Sequence, residues 1–217
     1  EVVRVNPKAS SLLKNIKKLG RPTAAGGSSG TSADVLSRIS TQEKEQAQTL
    51  RNGIQEIADV MKGAYNLGDV IYMIMETMYR GFLFDRVVFA MRDATRTKMV
   101  GRFGLGEEID TINRHFAFEI RSAPDIFNIA IARAKGIVID DAEAPSIVRS
   151  LPEWYRLAIA APSFLIYPIV VREICIGVIY ADRKTKGALL TESQMEQMEE
   201  LRKLAVDAIE QKRQGEA

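Results

Sequence analysis

Residues 163–183, SFLIYPIVVREICIGVIYADR, decide the fold class of this chain. Two apolar runs, Ser163–Val171 and Ile174–Asp182, are rich in β-branched and aromatic residues and are separated by only two residues. Such a short connection between two runs of this kind predicts a tight antiparallel hairpin. Pro168 lies inside the first run, an unusual place because proline removes a ladder hydrogen bond. The segment therefore predicts an antiparallel β-sheet.

Four shorter segments before this hairpin also have strand-like composition. Arg86–Arg92 is followed, after a short polar turn, by Thr97–Phe103, and together they predict a second hairpin. Phe116–Ile120 and Ile137–Ile139 are further candidate strands. The segment Asp140–Ala161 is interrupted by prolines and is predicted to be mostly loop.

Four other segments have helical periodicity. The first spans residues 34–64, and the second begins at the capping residue Asn66 and runs to about Phe82. The third is Asp125–Lys135, and the last follows a capping box formed by Thr191 and Gln194. Hairpins combined with flanking helices predict an α+β fold.

The composition of residues 1–33 differs from that of the rest. Six Lys or Arg residues fall in the first 30 positions against a single acidic residue, Glu1. We expect a short basic helix over residues 1–19 and a flexible Gly/Ser-rich linker over 20–33, both belonging to an upstream region of a longer protein. The organised domain is expected to span residues 34–217.

The residue inventory argues against several functional classes. The chain of 217 residues has one Cys and one His, so it has no internal disulfide and too few ligands for a structural zinc site. It has no Gly-Lys dipeptide and therefore no Walker A loop. The net charge of +2 argues against nucleic acid as a partner, and the lack of a long apolar run argues against a membrane span. We predict a cytoplasmic protein.

The arrangement of these segments resembles a GAF domain over roughly residues 45–213. The matching motifs are Phe84–Val88, Gly101–Gly106, Ser163–Arg172 and Ile176–Arg183. In detail the chain resembles the C-terminal GAF-like region of bacterial signalling proteins with an upstream HDOD domain. The resemblance implies a six-stranded antiparallel sheet with the N- and C-terminal helices on one face. On the other face, residues 104–161 would roof a small-molecule pocket.

The sequence departs from GAF subfamilies with known ligands. It lacks the NKFDE-type pattern of cyclic-nucleotide-binding members and the chromophore cysteine of bilin-binding members, because Cys175 lies inside a predicted strand. A single cysteine does not support the disulfide cycling of the free-methionine sulfoxide reductase branch. The cofactor is therefore unknown, and no catalytic or metal-binding residue is predicted. The acidic residues Asp140, Asp141 and Glu143 are interpreted as a solvated loop.

The pocket implied by the resemblance has candidate ligand-binding residues. In the last strand Ile174, Ile176, Val178 and Tyr180 alternate with residues that suit helix packing, so the first set is predicted to face the pocket. Trp154 and Tyr155 are candidate lid aromatics, with simple packing as the alternative. The candidates are Arg102, Phe118, Arg121, Phe127, Ile131, Trp154, Tyr155, Tyr167 and Tyr180.

The first helix also has a stripe of apolar residues at heptad-like spacing. This stripe, with part of the last helix, predicts a parallel homodimer. The candidate interface residues are Leu50, Ile54, Ile57, Met61, Leu201, Leu204 and Ala208. The competing interpretation is that the stripe packs only on its own domain.

Because no catalytic constellation is present, we predict a non-catalytic sensory or regulatory module. It would bind an unidentified small ligand or act as a ligand-free relay. The alternative is a structural dimerisation module whose pocket is filled by its own side chains. An enclosed cavity of about 300 Å³ or more with polar groups would favour ligand sensing.

Overall fold

The domain is built on one mixed sheet of seven strands. The computed structural model describes residues 2–5, 32–122 and 124–215. The strands are β1 (Val3–Val5), β2 (Arg86–Arg92), β3 (Lys98–Gly106), β4 (Ala117–Glu119), β5 (Ile137–Ile139), β6 (Ser163–Val171) and β7 (Ile174–Arg183). Their order is β1-β5-β6-β7-β2-β3-β4, and only the β1–β5 pair is parallel. The predicted set of six antiparallel strands corresponds to β2–β7, and the prediction missed β1.

Strand β1 lies where the sequence predicted the start of a basic helix. Val3 to Val5 pair with Ile137 to Ile139, and Arg4 donates a hydrogen bond of 2.8 Å to the carboxylate of Asp140. The helix prediction is therefore wrong at residues 3–5, because the Val-Arg-Val alternation suits a sheet edge. The rest of the basic segment and the linker up to residue 31 lie outside the described residues. The proposed domain boundary near residue 33 stays a prediction.

Helices cover both faces of the sheet. They are α1 (Ser32–Val60), α2 (Leu67–Gly81), α3 (Ile109–His115), α4 (Ile126–Arg133), α5 (Pro145–Val148), α6 (Glu153–Ala158) and α7 (Glu192–Gly215). The predicted caps are confirmed. The Asn66 side chain accepts from the backbone N–H of Gly68 at 2.7 Å, and Thr191 and Gln194 exchange hydrogen bonds between side chain and backbone. The short helices α3, α5 and α6 were not predicted.

Two separate cores lie on the two faces. Helices α1, α2 and α7 cover one face over mainly aliphatic and methionine side chains, which we call the helix-side core. Helices α3–α6 with their connecting loops, residues 109–161, cover the other face, and the buried residues between them and the sheet are called the roof core. No helix in the described part of the chain is long and apolar enough to cross a membrane.

Candidate functional site

The roof core brings six of the nine candidate ligand-binding residues together. Phe118, Phe127, Trp154, Tyr155 and Tyr180 contact one another and are joined by Phe116 and Phe164. The sixth, Ile131, packs at the border of this cluster. These six residues therefore lie on the roof side of the sheet, and ligand binding by them stays a prediction.

Their rings fill the space in which a ligand was expected. Trp154 stacks on Phe118 with ring centroids 5.2 Å apart, and the centroid of Tyr155 lies 4.8 Å from that of Phe164. Phe127 contacts both Trp154 and Tyr155. Tyr155, Tyr180, Phe116, Phe127 and Phe164 are each less than 2% exposed. The centre of this layer is thus occupied by the protein's own side chains.

A buried polar chain borders these rings. Nε of Arg86 lies 3.0 Å from each carboxylate oxygen of Asp182, and both residues are buried. The Tyr180 hydroxyl donates to Asp182 at 2.6 Å, and the Tyr155 hydroxyl donates to the carbonyl of Ala161 at 3.0 Å. The network joins β2, β7 and the segment after α6, so it fixes the roof on the sheet.

The electrostatics of this network follow from its burial. Desolvation raises the pKa of Asp182, and the adjacent Arg86 guanidinium opposes that rise. Burial also raises the pKa values of Tyr180 and Tyr155, so both phenols are neutral donors at neutral pH. No Ser, Cys or His is part of the network. It holds the fold together and contains no activated nucleophile.

Three candidate residues lie outside the roof core. Tyr167 lies on the opposite face, in the helix-side core, because the alternation of β6 places it with Leu165 and Ile169. Its hydroxyl is buried and has no hydrogen-bond partner among the described residues. Arg102 is exposed at a register shift between β2 and β3, where Phe89 pairs with Phe103 and Ala90 with Gly101. Arg121 is exposed in the loop after β4.

A register shift also changes the predicted faces of β7. Val178 and Tyr180 contact the roof core as predicted, but Cys175 joins the roof core and Ile176 packs on the helix-side core. The register shifts between Ile169 and Val170, so one residue of β7 is left without a cross-strand partner. The extra residue is Ile176. Because it is inserted into the alternation of β7, the side chains of β7 that precede it lie on the opposite face from the one predicted. The prediction for Cys175 and Ile176 is therefore wrong.

The interpretation of the acidic loop as solvated is wrong for Asp140, because this residue is buried and paired. Asp140 is buried and accepts from Arg4 and from the backbone N–H of Leu189 at 2.9 Å. Lys186 lies between Asp141 and Glu143. In the described part of the chain, no group of three or more His, Cys, Asp or Glu side chains is placed to hold a metal ion.

The candidate dimer residues fall into two groups. Leu50, Ile57, Leu201 and Ala208 are fully buried within one chain. A Cβ atom at Gly81 would clash with Leu50, which shows how closely α1 and α2 pack. Ile54, Met61 and Leu204 are only partly buried. The first group is not available to a partner subunit, because α1 packs on its own α2 and α7.

Solved structures resemble this architecture. The GAF domain of an Acinetobacter phosphoenolpyruvate-protein phosphotransferase is 17% identical and covers 77% of this chain and 93% of its own, with a TM-score of 0.60. The corresponding domain from Coxiella burnetii is 15% identical, with coverages of 76% and 91% and a TM-score of 0.56. The chain has a GAF fold. Comparison with protein-family models and with curated protein sequences finds no match.

One neighbour of the same GAF fold is an enzyme. Free methionine-R-sulfoxide reductase from Neisseria meningitidis, solved with its substrate, is 17% identical and covers 88% of this chain and 98% of its own, with a TM-score of 0.61. At these identities the likeness concerns the fold alone. The activity of this chain therefore has to be inferred from its own residues.

Proposed function

We propose that this GAF domain is a non-catalytic regulatory module of a bacterial signal-transduction protein, cytoplasmic and preceded by an HDOD-type domain. It acts through its helices and does not enclose a small molecule between the sheet and its roof. The observation that carries the proposal is the filled roof core, whose central rings are less than 2% exposed. A sensor that encloses its ligand needs a cavity at this place.

The chemistry of the described residues supports the non-catalytic part. Cys175 is the only cysteine, and burial raises the pKa of its thiol to about 11, so the thiol stays protonated at neutral pH. His115 ends α3, where its Nδ1 lies 2.8 Å from the backbone carbonyl oxygen of Thr111. Neither residue is paired with a nucleophile or base in the way that acyl or redox chemistry requires.

Native mass spectrometry of the purified chain tests the proposal. The expected spectrum shows the mass of the chain, 24.1 kDa, with no small molecule retained in the roof core. The Trp154→Ala variant opens this layer from the solvent side and serves as the probe for it. A retained molecule that disappears in Trp154→Ala would contradict the proposal, as would turnover of a candidate nucleotide that depends on a roof-core residue.

A structural dimerisation module is the second candidate function. The filled roof core and the partly exposed Ile54, Met61 and Leu204 favour it. Light scattering at micromolar concentration tests the dimerisation candidate. A mass near twice 24.1 kDa supports dimerisation, and the monomer mass ends this candidate.

A further inference from the structure

An open cleft of about 800 Å³ lies at the hairpin end of the sheet, away from the Arg86–Asp182 network. Its walls come from the β2–β3 turn, the β6–β7 turn and the loop between β4 and α4. The C-terminal turns of α7 reach its rim through Arg213. Helix α4 contributes Asn128, Ile131 and Ala132, so segments that are distant in sequence form the cleft together.

Positive side chains predominate in this cleft. Arg92, Arg96, Arg121 and Arg213 line it, against only Asp93 and Glu173. The Asp93 carboxylate is engaged by its own turn, because it accepts from the backbone N–H of Thr97 at 2.9 Å and of Lys98 at 3.0 Å. The cleft is therefore short of anionic partners for its guanidinium groups.

Arg92 is the clearest sign of a missing partner. Its Nε is buried and has no hydrogen-bond partner in the described part of the chain. A buried guanidinium donor without an acceptor costs free energy, and an anion in the cleft would supply that acceptor. Arg121 adds a second guanidinium, whose one ion pair among the described residues is an exposed contact of 3.6 Å with Glu119. Exposed pairs of this kind exchange easily with a ligand.

Apolar side chains also line the cleft, beside the polar Ser122 and Asn128. Met91, Ile131, Ile174 and Ile176 line it, and Ile174 is 52% exposed, which is unusual for an isoleucine in a strand. Cys175 lies among them with its thiol protonated. Apolar side chains beside guanidinium groups match a molecule that has both an apolar body and an anionic group.

Hydrogen bonds hold the walls in place before any ligand binds. The side chain of Asn128, itself only 5% exposed, accepts from the backbone N–H of Arg121 at 3.0 Å and donates to Asp125 at 2.8 Å. This fixes the Arg121 loop against α4. The Asp93 hydrogen bonds fix the opposite wall. A preformed site loses little free energy to ordering when it binds.

We propose that this cleft binds a small organic anion that has a phosphate or carboxylate group on an apolar body. Arg92 and Arg121 bind the anionic group, and the isoleucines contact the body. Because Arg213 belongs to α7, the bound anion would also tie the end of this helix to the hairpins. The inference does not depend on the proposed function, because Ile131 and Cys175 are shared with the border of the roof core but none of its central rings lines the cleft.

Phenyl phosphate is a suitable probe, followed by amide chemical shifts in the full chain. The expected shifts lie in the β2–β3 and β6–β7 turns and in the Arg121 loop. Inorganic phosphate, which lacks the apolar body, and benzyl alcohol, which lacks the charge, should each bind at least about tenfold more weakly, because each keeps only one of the two kinds of contact. Equal binding of phenyl phosphate and benzyl alcohol would overturn the proposal.

Variants locate the site. Arg92→Gln and Arg121→Gln should each weaken phenyl phosphate binding by about tenfold, as expected for loss of one charge-assisted hydrogen bond. Arg121 is exposed, so its variant stays folded even where Arg92→Gln destabilises the domain. Arg102→Gln, at an exposed arginine outside the cleft, is the matched control and should bind as the wild type does. Equal effects of all three substitutions, or no binding at about 10 mM probe, would overturn the proposal.

Discussion

The two faces of the sheet are covered by different kinds of side chain. The helix-side core consists mainly of aliphatic and methionine side chains from long helices, such as Leu50, Met75 and Leu201. The roof core contains six buried aromatic rings, contributed by short helices, by strands and by the residue after α3, among aliphatic side chains, with a buried ion pair at its edge. Flexible aliphatic chains fill irregular space between helices, whereas rings fill a volume with few residues. The comparison shows that one sheet can be covered on its two faces by cores of different composition.

The largest expected effect is on the helix side. Leu50→Glu would place a charge at a fully buried position between α1 and α2. We expect a loss of more than about 5 kcal/mol in the free energy of unfolding, enough to unfold a domain of ordinary stability. Circular dichroism with urea measures it, and Asn52→Glu at an exposed position should change stability by less than about 0.5 kcal/mol. A folded Leu50→Glu monomer would show instead that Leu50 belongs to a subunit interface.

Truncating a ring tests how tightly the roof core is filled. Phe127→Ala should cost about 3–5 kcal/mol, because Phe127 is fully buried and contacts several rings. The resulting apolar cavity should bind benzene, detected as a rise in melting temperature. Phe103→Ala, at a phenylalanine that is 44% exposed, should cost less than about 1 kcal/mol. Similar costs for the two variants would mean that the roof core is not tightly packed.

The ion pair distinguishes the roof side from the helix side. Arg86→Met leaves Asp182 buried without its partner and should cost about 3–5 kcal/mol. The double variant Arg86→Met/Asp182→Leu removes both charges and should recover much of that loss in urea denaturation. If the double variant is no more stable than Arg86→Met, the unpaired Asp182 carboxylate is not the cause of the loss in the single variant.

The same conservative substitution on the two faces gives the smallest effects. Tyr180→Phe removes the 2.6 Å hydrogen bond to Asp182 and should cost about 1–2 kcal/mol. Tyr167→Phe removes a buried hydroxyl that has no partner among the described residues, so we expect a change within about 0.5 kcal/mol or a small gain. Equal losses for the two variants would mean that the Tyr167 hydroxyl has a partner in solution.

Much of the fold follows from local patterns. The bounds of β2, β5 and β6 are those predicted, and the caps at Asn66 and Thr191 lie where expected. These features depend on residues close together in the chain, so local propensity and turn chemistry specify them. Strand β1 and the short helices were missed because each depends on packing against distant segments.

The sequence by itself therefore determined the α+β class, the order of the main elements and the aromatic character of the roof. The tertiary structure decided which faces Cys175 and Ile176 occupy, because one bulge residue inverts the alternation of a strand, and it decided which face of β6, carrying Tyr167, packs on the helices. It also decided that Leu50 and Ile57 are buried within the chain and that the roof core is filled. Burial and close packing depend on contacts among many elements, so the periodicity of a single element does not reveal them.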